Sequence, residues 1–345
     1  MERSNRRRFL RVVGSGGLAV STGMCASAGQ AETGSPALAV QSGRGRSRVV
    51  VARRPGQLVV EGKPNQKQIA DLLGEGVSAL LDEKDRVAAW KRLFSPRDTV
   101  GIKVNVLGGK GLSPKPELAA AICEALQAAG VPADRIIVWD RFSHELRRAG
   151  FEIVTSGSRP RCFGTDSIRG GEFGGYDAQP QISGTIGSCF SSIISTMCTA
   201  MINLGVLKDH DLSGISVGLK NLFGLIHNPN RYHFYVHSDP YLADLAAHPY
   251  VRGKLRLVII DALVGQYNGG PAYKPQYTWP FDGLLIGTDV VAVDRMGCTI
   301  IEARRTEAGL PSLAEIDREP KYIQLAEEKG LGCSDPSKID IIEVT

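Results

Sequence analysis

The chain has 345 residues, of which 43% are hydrophobic and 22% are charged, and its formal net charge is +5. These values are typical of a globular protein with one large domain or two ordinary ones. Most of the charge lies at the amino terminus, because residues 1–28 hold five arginines and one acid. The rest of the chain is nearly neutral and has no basic patch beyond residues 44–48. This balance excludes a nucleic-acid-binding protein.

The first 28 residues have the pattern of a twin-arginine export signal. Arg6-Arg7 is followed by one spacer, Phe9-Leu10 and a further base, and then by a glycine-rich apolar stretch over residues 12–26. Ala26-Ser27-Ala28 is a small-x-small cleavage site. The apolar stretch is too short for a transmembrane anchor. We therefore expect a signal at 1–28, a flexible linker at 29–47, and a periplasmic or otherwise exported protein.

Apolar runs and helical spacing predict alternating strands and helices along residues 48–345. The predicted strands are 48–52, 99–104, 135–139, 199–204, 254–260, 284–288 and 339–344. The predicted helices are 66–81, 85–93, 113–129, 213–223 and 289–304. This alternation predicts a single α/β domain, with a mostly parallel sheet built from strand–helix–strand units and helices on both faces. Residues 156–192 are rich in Gly, Ser and Pro and predict a loop-rich insertion, as a hairpin or a long loop near the site.

Polar residues recur at the carboxyl ends of the predicted strands, where ligands bind in open α/β sheets. They are Lys103, Asn105, Asp140, Asn203, Asp261 and Asp289, and Lys208, Asp209 and His210 follow the strand that contains Asn203. An acid at a strand end can instead cap the next helix, an alternative that is strongest for Asp289. Lys103 is the most informative of these residues, because a lysine within an apolar strand is costly unless its ammonium group is paired or reaches solvent.

A second polar region extends from residue 207 to residue 237. Lys220 and Asn221 lie near the carboxyl end of the predicted helix 213–223, where a lysine also favours the helix dipole. Arg231 lies among three histidines, which are His227, His233 and His237. His233 and His237 share one face in either a helix or a strand, and with a third imidazole and an acid they would bind a first-row metal ion. The alternative is that these histidines are structural or contact a substrate.

Several common motifs are absent from the sequence. The Gly-Gly-Lys-Gly segment at 108–111 lacks the spacing of a phosphate-binding P-loop, and there is no Gly-x-Ser-x-Gly elbow of a serine hydrolase. Six cysteines follow the predicted signal, and none forms the Cys-x-x-Cys pair of an iron–sulfur cluster motif. Three alternatives stay open for them, namely buried thiols, a disulfide such as Cys189–Cys198, and metal ligation.

Four segments resemble the domain-of-unknown-function 362 family. They are Ile102–Asn105 with its following helix and the strand that ends at Asp140, Ile202–His210, Gly218–Gly224, and Thr288–Asp294. The resemblance implies an α/β domain whose motif residues gather in one site. Some relatives carry ferredoxin-like cluster motifs, which implies redox surroundings, but this chain lacks those cysteines and has Val104 where many relatives have proline. The family has no general activity to transfer.

Two hypotheses follow from the residues and the resemblance. The first is an exported enzyme that acts on a small anionic ligand at the carboxyl edge of the sheet and is metal- or redox-linked, with His210 as general acid/base oriented by Asp140 or Asp261. The second is a non-catalytic ligand- or metal-binding maturation factor that serves a redox partner protein. The predicted catalytic residues are His210, Lys208, Asp140 and Asp261, and the predicted ligand-binding residues are Lys103, Asn105, Asn203, Lys220, Asn221 and Arg231.

Overall fold

A computed structural model describes residues 46–168, 174–233 and 239–345. The predicted export signal and nearly all of the predicted linker lie outside these residues. The strands are β1 (Ser47–Arg53), β2 (Val59–Val60), β3 (Lys63–Pro64), β4 (Val100–Val104), β5 (Ile136–Asp140), β6 (Arg161–Gly164), β7 (Gln181–Ser183), β8 (Ile186–Ser188), β9 (Ala200–His210), β10 (Gly214–Ser216), β11 (Leu255–Gln266), β12 (Thr278–Gly287) and β13 (Ile339–Val344). The helices are α1 (Gln66–Leu81), α2 (Arg86–Leu93), α3 (Pro116–Ala128), α4 (Ser143–Arg148), α5 (Gly218–Asn221), α6 (Tyr241–Ala247), α7 (Pro249–Arg252), α8 (Val290–Glu307) and α9 (Tyr322–Glu328).

Within the described ranges, nine strands form one sheet in the order β13-β1-β12-β11-β9-β4-β5-β6, with β10 paired to β9. The run from β11 to β6 is parallel throughout, and β12 is antiparallel to both of its neighbours. The carboxyl ends of β4, β5 and β9 therefore lie along the same edge. The predicted α/β fold with a mostly parallel sheet is confirmed.

Hydrophobic cores lie on both faces of the sheet, because successive side chains of a strand point to opposite sides. Ile102 and Ile202 enter a core that includes residues of α1, α2 and α3. Trp139 and Met201 enter a second core that includes residues of α5, α6, α8 and α9. The central strands are thus buried on both sides, which explains their nearly continuous apolar sequences. No helix of the described residues has the length and apolar composition that crossing a membrane requires.

The predicted helix at 213–223 is wrong. Strand β9 continues to His210, and the chain turns back so that β10 pairs antiparallel with it, with Ser216 opposite Lys208. Gly214 makes this return with φ of +74°, and a Cβ there would lie 2.1 Å from the carbonyl oxygen of Arg318. The helical part is only α5, continued by a 3-10 turn at Leu222–Leu225. Lys208 and His210 therefore lie on a paired strand and not in a loop after one.

Two other predicted features are placed differently in the structure. The segment 156–192 contains the β7–β8 hairpin, but it also supplies β6, the edge strand of the main sheet. Asp289 follows β12, which is antiparallel to β11, so Asp289 lies at the opposite edge of the sheet from Asp140. Its carboxylate accepts hydrogen bonds from the backbone amides of Val291 and Ala292 and thus caps α8. The capping alternative for Asp289 is the correct one.

Candidate functional site

Three lysines and two histidines form the candidate site, which we call the lysine cluster and define as Lys103, Lys208, Lys220, His210 and His233. Strand β4 supplies Lys103, which is 1% exposed. Its Nζ lies 2.8 Å from Asp140 Oδ1 at the end of β5 and donates to Asn221 Oδ1 at 3.0 Å. Burial lowers the pKa of Lys103, and the charge of Asp140 opposes that effect. Lys103 is thus a buried but compensated cation, as the sequence argument required.

Two asparagine amides fix this ion pair to the neighbouring elements. Asn221 Nδ2 donates to Asn203 Oδ1 at 2.7 Å and to the Lys103 carbonyl at 3.0 Å, and Asn203 Nδ2 donates to the Gly218 carbonyl at 2.8 Å. The predicted ligand contacts of Asn203 and Asn221 are not supported, because these amides bind the protein itself. They hold α5 against β4 and β9.

Gly224 packs directly against the Lys103–Asp140 ion pair. A Cβ at this position would lie 2.4 Å from Lys103 Nζ and 2.9 Å from Asp140 Oδ1. Both of those side chains are fixed by further hydrogen bonds, since Asp140 Oδ2 also accepts from the Val106 amide at 3.0 Å. The glycine that ends the segment Gly218–Gly224 is therefore required by close packing against the lysine cluster.

Lys208 is fully buried and has weak polar contacts. Its Nζ lies 3.4 Å from Asn105 Oδ1 and 3.5 Å from the Pro271 carbonyl oxygen. No carboxylate of the described residues lies within ion-pair distance of it. Burial lowers the pKa of Lys208 to about 8, Asp140 and Asp209 oppose the shift, and Lys103 adds to it. Lys208 is therefore a buried cation at neutral pH without a direct counter-charge.

Lys220 is 7% exposed and has an unusual pair of neighbours. Its Nζ lies 2.7 Å from His233 Nε2 and 3.9 Å from the centre of the Phe223 ring. Within the described part of the chain, no acid forms an ion pair with it. Burial, and then the charge of Lys208, lower the pKa of Lys220 well below its ordinary value. Because Lys220 is buried and has no acid partner, a positive charge is less stable on it than on the other lysines of the cluster.

His210 is held by the turn that follows β9. Its Nδ1 accepts hydrogen bonds from the backbone amides of Leu212 at 3.1 Å and Ser213 at 3.3 Å, so its proton lies on Nε2. Burial lowers the pKa of His210 to about 2, and the charge of Lys220 adds to the effect. The 3.1 Å approach of Asp211 to Nδ1 is therefore not an ion pair. The imidazole ring stacks on His233 with centroids 5.6 Å apart.

The predicted orienting acids do not reach His210. Asp140 pairs with Lys103, and Asp261 accepts hydrogen bonds from the backbone amides of Lys115 at 2.7 Å and Leu263 at 3.0 Å. Burial raises the pKa of Asp261, a residue of β11 whose carboxylate contacts the start of α3. The prediction of an oriented general acid/base at His210 needs correction, because the geometry leaves its Nε2–H as a hydrogen-bond donor only.

Asp209 and Arg318 were not predicted as site residues. Asp209 follows Lys208 on β9 and is fully buried, and its carboxylate lies 2.8 Å from Arg318 Nη2 and accepts from the Gly270 amide at 2.8 Å. Arg318 also donates to the His210 carbonyl at 3.2 Å. The Lys-Asp-His sequence was a local signal for Asp209. Arg318 comes from a distant polar loop, and nothing in its local sequence indicates this role.

His227 and Arg231 lie apart from the lysine cluster. His227 Nδ1 accepts from the Cys189 amide at 3.0 Å, and both His227 and Arg231 are exposed. They line a partly open cleft of about 730 Å³. Its lining residues are Pro180, Thr185, Ile186, Gly187, Cys189, His227, Asn228, Arg231 and Tyr241.

The predicted metal ligands do not come together in the described residues. His233 Nε2 lies 2.7 Å from Lys220 Nζ, so this nitrogen faces a lysine and not a metal site. His237 lies outside the described residues. Within those residues there is no group of three or more His, Cys, Asp or Glu side chains that could hold a metal ion.

The six cysteines are free thiols, and Cys189 and Cys198 are not joined. Four of them, Cys123, Cys162, Cys198 and Cys298, are buried in the hydrophobic cores. Buried thiols at these four positions behave as small hydrophobic residues. This arrangement does not fit an iron–sulfur cluster, which needs converging cysteine ligands.

Comparison with known proteins places the chain in a family. No curated protein matches it. The family model described as a domain of unknown function (DUF362) matches residues 100–299. The match includes the whole lysine cluster, from Lys103 on β4 to His233, but not Arg318. The chain belongs to the domain of unknown function (DUF362) family.

Proposed function

We propose that the protein is an exported enzyme that acts on a small anionic ligand at the carboxyl edge of the parallel strands. The observation that carries the proposal is the absence, among the described residues, of an acid partner for Lys208, which is fully buried and a cation at neutral pH. A buried ammonium group costs several kcal/mol unless an opposite charge compensates it. The acids that act electrostatically on Lys208 are Asp140 and Asp209, and they already pair with Lys103 and Arg318. A bound anion would provide the missing compensation.

The neutral groups of the cluster support the same ligand class. A carboxylate or phosphate oxygen accepts hydrogen bonds and donates none when ionised. His210 offers a fixed Nε2–H donor, and because its ring is neutral it adds no further positive charge near Lys208. The ligand is therefore expected to carry one or two negative charges on a small body.

The enzyme assignment rests on the Lys220–His233 pair. A 2.7 Å contact between two nitrogens allows a proton to pass directly from one to the other. Export through the twin-arginine pathway rests on the pattern of residues 1–28. The proposal of a metal ion or a redox cofactor rests on that export route alone. His237, a predicted metal ligand, lies outside the described residues.

One observation favours the alternative of a non-catalytic binding or maturation factor. The Nδ1 of His210 is occupied by two backbone amides, so the usual histidine–carboxylate dyad is absent around it. A carrier would need only the cationic lysines. The two functions differ in what happens to the ligand, since a carrier returns it unchanged.

The test uses the full-length protein purified after export. Calorimetric titration with inorganic phosphate and with succinate should give saturable binding, and Lys208→Met should weaken it by about tenfold or more, because a charge-assisted hydrogen bond is lost. Lys84→Met is the matched control, since Lys84 is exposed and distant in sequence from the site. Binding that is absent, or that is weakened equally by both variants, would contradict the proposal.

A further inference from the structure

We infer that Lys220 is a nucleophilic lysine that forms an imine with an aldehyde or ketone carbonyl of the ligand, which makes that ligand an oxo acid. The inference rests on the proposed function and names the substrate class of the same site. The geometry that carries it is the position of Lys220 Nζ, buried beneath the Phe223 ring at 3.9 Å and 2.7 Å from His233 Nε2. The described residues place no carboxylate against it.

The three lysines of the cluster differ in their neighbours, and Lys220 has the neighbours that imine formation requires. An amine attacks a carbonyl only when its lone pair is free, so an ion-paired lysine is a poor nucleophile. Asp140 at 2.8 Å keeps the proton on Lys103. Lys220 has a neutral aromatic ring and a neutral imidazole around it instead, with Lys208 close enough to disfavour a second positive charge. A desolvated lysine beside another cation is a recognised route to an activated amine.

His233 is positioned to take the proton that the reaction releases. The Nε2 atom of His233 lies 2.7 Å from Lys220 Nζ, so in the tautomer with its proton on Nδ1 the ring directs the Nε2 lone pair at that amine. Burial lowers the pKa of His233 to about 4, so the ring is neutral at physiological pH. Lys220 thus donates its N–H to His233 in the resting protein. The same contact would carry a proton away from nitrogen during attack.

The proposed step balances without an oxidant or a reductant. The Nζ lone pair of Lys220 forms a bond to the carbonyl carbon, and the carbonyl π pair moves to oxygen. One proton leaves nitrogen through His233 and returns to that oxygen, which gives a carbinolamine. A second proton leaves nitrogen as the oxygen departs as water, so that the amine and the carbonyl become an imine and one water molecule.

The remaining residues select the acid group of the substrate. Lys208 supplies a positive charge that acts electrostatically on Lys220, and the Nε2–H of His210 supplies a neutral donor. An anionic group on the carbon beside the carbonyl would therefore lie between these residues while the carbonyl carbon faces Lys220. This arrangement favours 2-oxo acids over simple aldehydes.

The experiment is reductive trapping of the full-length protein with sodium cyanoborohydride. Pyruvate, glyoxylate and 2-oxoglutarate are the probes, and lactate is the matched 2-hydroxy acid, which has no aldehyde or ketone carbonyl. Intact mass should increase by one reduced adduct with an oxo acid and stay unchanged with lactate. Peptide mapping should place the adduct on Lys220 before any adduct appears on exposed Lys84.

Two variants and one binding measurement complete the test. Lys220→Met removes the amine at a similar side-chain length and should lose the adduct, with circular dichroism confirming its fold, and Lys208→Arg should retain the adduct on Lys220. An adduct that forms first on Lys208, or no adduct at an oxo-acid concentration that saturates binding, would overturn the inference. Succinate titration separates the two proposals. If succinate binds but no oxo acid is trapped on the protein, the imine inference is wrong and the proposed function stands. If neither succinate nor an oxo acid binds, the proposed function is wrong as well.

Discussion

The two edges of the central sheet differ in whether their buried charged side chains have ion-pair partners. At the amino edge, Asp98 precedes β4, Thr199 precedes β9 and Arg256 lies near the start of β11, and we call these three residues the amino-edge cluster. Asp98 binds both terminal nitrogens of Arg256, at 2.7 and 3.1 Å, and accepts from Thr199 Oγ1 at 2.8 Å. These bonds tie together three adjacent strands. The charges of the amino-edge cluster cancel within the protein.

The carboxyl edge carries charges that the described residues do not cancel. Lys208 is more deeply buried than Asp98 and Lys220 is buried to a similar extent, yet neither forms an ion pair with a carboxylate of the described residues. A fully paired buried charge fixes the arrangement of the elements that bear it, whereas an unpaired one is costly and needs another explanation. The comparison shows that burial alone does not distinguish a structural ion from a functional one. The presence or absence of a partner does.

The largest effect is expected at the amino edge. Asp98→Ala should lower the free energy of unfolding by about 3–5 kcal/mol, because it leaves the Arg256 guanidinium without its partner in a mostly buried position. Urea denaturation followed by circular dichroism measures this change. Asp340→Ala is the control, since its ion pair with Arg46 is exposed on both sides and should contribute less than about 1 kcal/mol. Equal losses in the two variants would show that the amino-edge cluster has no special structural role.

A smaller effect of opposite sign is expected at the carboxyl edge. Lys208→Met should raise the free energy of unfolding of the ligand-free protein by about 1–3 kcal/mol, because a buried cation without a partner is replaced by an apolar side chain of similar length. Lys103→Met is the matched variant and should destabilise the protein, since it leaves Asp140 unpaired. If both variants change stability in the same direction, the distinction between paired and unpaired lysines is wrong.

The smallest effect is the pH dependence of stability. Burial lowers the pKa values of His210 and His233 to about 2 and about 4, from 6.5 in the unfolded chain. Below pH 6.5 the unfolded state therefore binds protons that the folded state does not, and stability is lost as the pH falls. Each histidine should contribute a loss of about 1 kcal/mol between pH 7 and pH 5.5.

The two histidines can be separated from other groups by substitution. His210→Gln should keep an acceptor for the turn after β9 and remove the share of His210 from the pH dependence. Urea midpoints at a series of pH values measure the difference between this variant and the unaltered protein. Parallel curves for the two proteins would mean that folding does not lower the pKa of His210.

Local sequence predicted most of the sheet and its helices. Helix α1 was predicted at its observed bounds because apolar residues recur on one face from Ile69 to Leu81. Lys103 was predicted to need a partner, and Asp140 provides it. The strand–helix–strand run from β4 to β5 was also predicted, because its apolar pattern is local.

Tertiary contacts explain what the sequence did not predict. Lys208, Asp209 and His210 are polar, so the strand was predicted to end before them, yet long-range contacts such as Arg318 bury them within β9. The helix predicted from Ser213 is replaced by a strand because Gly214 and the turn before it favour pairing with His210. The tautomer of His210 depends on backbone amides that only the folded turn brings into place.

The β9–β10 hairpin has a consequence for the thermodynamics of ligand binding. Lys208 lies on a strand that pairs with Ser216 on one side and Gln266 on the other, so its backbone and the root of its side chain are already immobilised. A lysine loses about 2 kcal/mol of conformational entropy when its side chain is ordered. In this protein the conformational entropy of Lys208 is lost when the chain folds and not when a ligand binds. Lys208 is therefore preorganised, and a ligand that binds it loses less free energy to the ordering of its side chain.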